Sequence, residues 1–190
     1  MEEIAETEQM ITAVVPTRDR PLNLIDAVRS ICTQTRLPDE LIIVDQSASD
    51  ESFQIVSKLT SEIIAIKLIY IHDPVIKGLV DAKRIAVEHA SGEIIYFLED
   101  DVILEPDYFE QIELAFYKQT KMLGCSGIIT NPAARGRIYK LLFRIFHRGI
   151  FKDKRSDIYG NFSGREHSLI PSDKLSGGVS AWRREVFEDV

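Results

Sequence analysis

Two cysteines in 190 residues are too few for a disulfide framework. Cys32 falls on an apolar helical stripe and Cys125 beside an apolar run, so both are expected as buried free thiols. That usage suits a reducing compartment. No apolar run approaches the roughly 18 residues that a membrane span needs, and the start Met1-Glu2-Glu3 is unlike a signal peptide. The expected location is cytoplasmic. Neither Gly-x-Gly-x-x-Gly nor Gly-x-x-x-x-Gly-Lys occurs, which disfavours a dinucleotide site or a P-loop. The four histidines (His72, His89, His147, His167) share no metal-ligand spacing. A net charge of −7 argues against nucleic acid as the main partner.

What the chain does contain is an alternation of strand and helix signals. Residues 1–10 read as a flexible acidic start. Ile11 to Val15 is a first strand ending at Pro16, and Asp19 and Pro21 suit a helix start before Leu24, Ile25, Val28, Ile31 and Cys32. Leu41 to Val44 is a second strand with no polar face, as expected when both faces are covered. Asp50 is placed to cap a short helix carrying Phe53, Val56 and Leu59. Ile66 to Ile71 is a third strand, Leu79 to Ala90 a third helix, and Ile94 to Leu98 a fourth strand. Pro106 opens a helix through Ile112, Ala115 and Phe116, and Cys125 to Ile129 is a fifth strand. Such alternation predicts an α/β fold, a mostly parallel, Rossmann-like central sheet flanked by helices. Ligands then bind outside the carboxyl ends of the strands.

Glu99-Asp100-Asp101 sits at the tip of the fourth strand, followed by Glu105-Pro106-Asp107. Clustered carboxylates on a buried strand repel one another unless a cation meets them. Hard oxygen ligands select magnesium, calcium or manganese over zinc. Asp45 ends the second strand, so the acidic tips converge on one edge. A site of this kind points to an enzyme that handles a diphosphate.

Five segments in order resemble the family 2, GT-A-fold inverting glycosyltransferases. They are 14–21 (VVPTRDRP), 42–50 (IIVDQSASD), 77–93 (KGLV through ASGE), 97–107 with the DXD-like triplet, and 176–187 (SGGVSAWRREVF). The resemblance implies a GT-A catalytic domain over 1–190 that moves a sugar from a nucleotide donor, UDP-linked, to a glycan or lipid-linked acceptor. It implies donor-binding roles for Pro16, Thr17, Arg18, Asp45, Lys83 and Asp100, with Asp45 on the base and Asp100 near the ribose or sugar. It makes Asp101 the ligand of Mg2+ or Mn2+, and places Gly177, Gly178 and Trp182 on the acceptor side. Trp182 reads as lying on a helix, either as core or as a stacking surface for a sugar. Glu99 and Gln46 stand where the family often has aspartates, and Lys83 where it has an arginine, whose planar fork lysine lacks.

The family's general base lies downstream of the glycine-containing segment, so it is expected beyond Val190. On that expectation the chain is an N-terminal piece that binds donor and metal but transfers poorly. The readings to set against a transferase are a nucleotidyltransferase making activated sugars and a non-catalytic nucleotide-sugar-binding module. The first ordinarily has a glycine-rich loop after its first strand, and 16–20 (PTRDR) contains no glycine. Segment 131–170 reads as a basic insertion. Between Ala133 and Arg155 eight basic residues face one acid, a local +7 that leaves −14 for the remainder. Ile138, Leu141, Leu142, Ile145, Phe146 and Ile150 recur there at helical spacing. The helix is either docked on the core or lies on anionic lipid through 135–155, at the inner face of a membrane. A role in cell-surface polysaccharide or glycoconjugate synthesis follows from the resemblance.

Overall fold

Seven consecutive buried residues, Ile11–Thr17, form β1, the centre of the sheet. In the computed structural model, residues 9–127, 169, 175 and 178–188 are described. The basic segment 131–170 (Leu169 apart), Gly177 and the acidic start to residue 8 lie outside them. The chain divides into two units, Met1–Gly127 with Asp173–Val190, and Ile128–Ser172. The fold below is that of the first.

After β1 come α1 (Pro21–Cys32), β2 (Glu40–Asp45), α2 (Glu51–Ser61), β3 (Lys67–His72), α3 (Leu79–His89), β4 (Ile94–Phe97), α4 (Tyr108–Lys118), β5 (Gly124–Ser126) and β6 (Ser180–Arg183). The six strands lie in the order β3-β2-β1-β4-β6-β5. β1 pairs in parallel with β2 and β4, and β2 with β3. β6 runs antiparallel to both β4 and β5. From β1 the chain builds outward through β2 and β3, then returns to β4 on β1's other side. The carboxyl ends of β1 and β4 therefore flank a topological switch point, where open α/β sheets bind ligands.

Alternation along the strands sorts the core into two layers. Ile11, Ala13 and Val15 of β1 pack with Leu24, Val28 and Ile31 of α1 and Phe109, Ile112 and Phe116 of α4. Val14, Ile42, Val44, Ile95 and Phe97 face the other way, onto Ala82 and Ala86 of α3. Small alanines let α3 approach the sheet closely. Cys32 is half-buried, Cys125 buried, and both are free thiols.

Several expected details differ. Arg20, not Asp19, is the N-cap of α1, and Pro21 takes the first helical position. Asp50 occupies the N-cap of α2 but makes no side-chain capping bond. The strand expected over Cys125 to Ile129 begins at Gly124 and ends at Ser126, and the part beyond Gly127 lies outside the described residues. β6 was not foreseen, and it corrects the placing of Trp182, which lies on a strand rather than a helix. The reason is tertiary: without β6, one side of β4 would be an open ladder of unpaired backbone groups. Trp182 faces Gly124 across the β5–β6 ladder, and a Cβ there would come within 2.6 Å of the indole. Its Nε1–H donates to Ser180 Oγ at 3.0 Å.

The opposite end of the sheet is tied by a buried carboxylate. Glu40 opens β2 fully buried and accepts from Thr12 Oγ1 (2.9 Å), Lys67 Nζ (2.9 Å) and the Ser91 backbone N–H (2.7 Å). Gly92 N–H donates to Thr12 Oγ1 at 3.0 Å. A Cβ on Gly92 would meet that oxygen at 2.6 Å and the Thr12 nitrogen at 2.7 Å, so this approach requires glycine.

Candidate functional site

The carboxyl ends of β1, β2 and β4 carry the polar residues that line the cleft. Thr17, the last residue of β1, donates its hydroxyl to Asp100 Oδ2 at 2.7 Å, joining the tips of β1 and β4. Asp100 is buried, with a side chain only 8% exposed, while that of Asp101 is 45% exposed. Arg20 Nη1 lies 3.2 Å from Asp100 Oδ1 and 3.3 Å from Asp101 Oδ2. One cationic nitrogen thus meets both carboxylates.

The loop that delivers Arg20 is bent at Asp19, whose φ of 54° is the sole positive value at a non-glycine among the described residues. Aspartate tolerates this left-handed region better than most residues. Asp19 is held there by the second loop: its N–H donates to Ser47 Oγ at 2.8 Å. Asp45 anchors that second loop from below. Its Oδ1 accepts from Ser47 N–H (2.9 Å) and its Oδ2 from the Tyr70 hydroxyl (2.5 Å), and it is fully buried. Burial, then the bond to Asp45, pushes the Tyr70 hydroxyl well above the usual phenol range, so it remains a donor. Gln46, next in sequence, turns toward the cleft, its Oε1 accepting from Gly78 N–H at 3.1 Å. Gly78 starts α3 at φ 96°, a conformation that favours glycine.

These groups enclose a hollow of about 320 Å³ lined by Pro16, Thr17, Arg18, Arg20, Gln46, Gly78, Leu79 and Asp100. Of the expected donor-side residues, Pro16, Thr17, Arg18 and Asp100 line it together, whereas Asp45 sits beneath the loop. Lys83 lies on α3 with Nζ 4.9 Å from the centre of the Phe97 ring. Burial lowers its pKa, and the neighbouring Glu99 carboxylate opposes that shift. Gly178 abuts the same carboxylate, which a Cβ at that position would overlap. Lys83 and Gly178 thus gather around Glu99, the first member of the triplet. A further hollow of about 370 Å³ lies between α2 and β3. Its one titratable lining group is Tyr70, already committed to Asp45, so it lacks the chemistry of a site.

The family model described as Glycosyl transferase family 2 matches residues 12–190. The chain belongs to that family. Among its relatives is an uncharacterized glycosyltransferase of Haemophilus influenzae, 26% identical over 133 residues, covering 70% of this chain and 52% of that protein. Another is the GalNAc(5)-diNAcBac-PP-undecaprenol beta-1,3-glucosyltransferase of Campylobacter jejuni, 31% identical over 91 residues, covering 48% and 29%. The chain thus spans about half or less of the length of these relatives. In solved structures it is similar to a Pyrobaculum calidifontis mannosyltransferase in complex with GDP-Man and Mn2+. That match has a TM-score of 0.64 at 17% identity, over 95% of this chain and 46% of that one. It is also similar to glucosyl-3-phosphoglycerate synthase of Mycobacterium tuberculosis in complex with Mn2+, UDP and glucosyl-3-phosphoglycerate, with a TM-score of 0.61 at 17% identity, covering 94% and 58%. At such identities the likeness concerns the fold, which is GT-A.

In this family 2 chain the donor atoms available to a metal are Asp100 Oδ1 and Asp101 Oδ2. No group of three or more acid, histidine or cysteine side chains suited to a metal occurs among the described residues. Two hard oxygens already converging on one cationic nitrogen fit a cation shared with a ligand, not an all-protein cage. Magnesium-type ions, which keep several waters and take substrate phosphates as ligands, suit such a half-site.

Arg20 is the functional residue that the sequence reading passed over. Its signal was present: a cation at the positive end of α1, whose first turn holds no acid, is locally unfavourable. Such a misplacement asks for an anion elsewhere. Gln46 was noted only as a replacement, and Tyr70 gave no signal, because its partner lies across a strand pair.

Proposed function

We propose that this chain forms the donor-binding part of a metal-dependent, inverting glycosyltransferase that moves a sugar from a UDP-linked donor to a glycan or lipid-linked acceptor in cell-surface glycoconjugate synthesis. The observation that carries the proposal is the Thr17–Asp100–Arg20–Asp101 cluster at the β1/β4 switch point, opening into a hollow of about 320 Å³. The relatives support it, since one is named for an undecaprenol-linked glycan and two structural neighbours hold nucleotide-type donors or products with Mn2+.

In this reading Pro16, Thr17, Arg18 and Gln46 border the base and ribose, and Asp45, assigned to the base, also shapes that wall through its bonds to Ser47 and Tyr70. Asp100 is held against Thr17 to face the ribose or sugar, and Asp101 takes the metal. A bound divalent cation supplies positive charge to the departing diphosphate. The chain's own part is orientation: holding the anomeric carbon in line with an acceptor hydroxyl converts a chance encounter into a productive one. Lys83 is assigned to the donor side, near the nucleotide, and Gly177, Gly178 and Trp182 to the acceptor side.

Calorimetric titration with a panel of nucleoside diphosphates and nucleotide sugars, with and without Mn2+, tests the reading. UDP species should bind with a metal-dependent component, and Asp101→Ala should abolish that component. Metal-independent binding of all nucleotides alike would refute it, and release of pyrophosphate rather than UDP would identify a nucleotidyltransferase. The lipid-facing role of 135–155 is proposed from sequence alone. Exchange of Arg144 and Arg148 for glutamate should remove binding to anionic liposomes, and a wild-type chain indifferent to such liposomes would end the idea.

A further inference from the structure

We propose that Arg20 is the site's built-in counter-ion, so that a divalent cation binds well only together with a diphosphate that draws the guanidinium away. The proposal rests on the reading of the cleft as a nucleoside-diphosphate site and goes beyond it in assigning binding order to one side chain.

Three observations carry it. First, Arg20 Nη1 contacts Asp100 Oδ1 and Asp101 Oδ2 at 3.2 and 3.3 Å, and the second of these belongs to the carboxylate assigned to the metal. A hard cation needs such oxygens at about 2.0–2.6 Å, so guanidinium and metal exclude each other from that point. Second, Arg20 is placed against its local electrostatics. It caps the positive end of α1, where the first turn offers no acid, and cations are disfavoured at that end. Its position is therefore sustained by anions outside the helix. Third, the side chain is 56% exposed and lines the same hollow as Thr17, Arg18 and Gln46. It has room to leave the carboxylates, and a diphosphate in the hollow is a competing partner suited to its planar fork.

Exchange of partners makes the two ligands cooperative. A diphosphate that engages Arg20 frees the carboxylates for the metal, and by linkage the metal raises diphosphate affinity by the same factor. Arg18 provides a control of equal charge. It lines the hollow too, but its recorded ion partner is Asp19 at 3.7 Å rather than the triplet.

The experiment measures Mn2+ affinity of the 190-residue chain by electron paramagnetic resonance, with and without saturating UDP, for wild type, Arg20→Ala, Arg20→Lys and Arg18→Ala. In wild type, UDP should tighten Mn2+ binding. Arg20→Ala should tighten Mn2+ binding without UDP by about fivefold or more, at the low end of ordinary coupling, and shrink the UDP effect correspondingly. Arg20→Lys, still cationic, should stay nearer wild type, and Arg18→Ala should change metal affinity in the absence of UDP by no more than about twofold, as expected for a screened surface charge. Unchanged coupling in Arg20→Ala, or an equal gain in Arg18→Ala, overturns the proposal while leaving the donor site intact. A wild-type chain that binds neither Mn2+ nor UDP refutes the site reading itself.

Discussion

At the scale of single residues, the site is a set of carboxylates whose charge is balanced in different ways. Asp45 is fully buried and satisfied by one backbone N–H and one hydroxyl, so it builds the loop above it. Asp100 is nearly buried and satisfied by Thr17 and Arg20, and Asp101 is open to solvent. The Arg20–Asp101 pair is exposed on both sides, and such pairs contribute little to stability, about 0–1 kcal/mol, so that contact matters for occupancy of the site more than for folding. The Thr17 bond differs, because both of its atoms are buried. Thr17→Val keeps the shape, removes the donor and leaves Asp100 Oδ2 short of a partner. The expected cost is about 1–3 kcal/mol in a denaturant melt, with weakened UDP binding. An unchanged midpoint would show that water replaces the hydroxyl at no cost.

At the scale of elements, glycines mark where loops and strands come closest. Gly92, between α3 and β4, lies against the Thr12 hydroxyl and the Thr12 backbone nitrogen, and the nitrogen cannot retreat without moving β1. Gly178 lies against the end of the Glu99 side chain, which can rotate away. The two alanine substitutions should therefore differ. Gly92→Ala should destabilise by roughly 1–3 kcal/mol, the usual cost of overpacking. Gly178→Ala should melt near wild type while altering whatever binds beside Glu99. Equal melting temperatures for the pair would contradict this account. β6 shows the same logic for a whole element. Arg183 donates to the carbonyls of Met122 and Phe116, and Arg184 N–H to that of Glu93, so the end of β6 is fastened to α4 and the loop before β5 on one side and to the start of β4 on the other.

At the scale of the molecule, the sheet has a functional edge and a structural edge. The carboxyl ends hold the cleft, and the amino ends are drawn together by Glu40, which links β1, β3 and the loop before β4. Burial alone would raise the Glu40 pKa, but the hydrogen bonds from Lys67, Ser91 and Thr12 outweigh it and leave the value lowered from 4.5. A carboxyl whose folded pKa lies below its unfolded one stabilises the fold above the unfolded value, and that contribution is lost as pH falls through the folded pKa. Wild type should lose stability below about pH 4.5, the ordinary value for glutamate. Glu40→Gln should be less stable at pH 7 and show a shallower acid slope in thermal melts followed by circular dichroism. A mutant with the wild-type slope would assign the acid response to other carboxylates.

Periodicity by itself determined the alternation of four parallel strands and four helices, because covered strands read as unbroken apolar runs and amphipathic helices as stripes. The tips of those strands were legible for the same reason: an acid ending an apolar run has to lie at a sheet edge. What only the tertiary structure decided is partnership. β6 is four residues long, and it is a strand because β4 had an open side, which no local pattern in Ser180–Arg183 records. Arg20 meets residues 80 and 81 positions away, and Tyr70 meets Asp45 across a strand pair. Local sequence carries the propensity of each segment and the charge of each side chain. Which charge neutralises which is a matter of distance in space, and that is set only when the chain has returned from β3 to lay β4 beside β1.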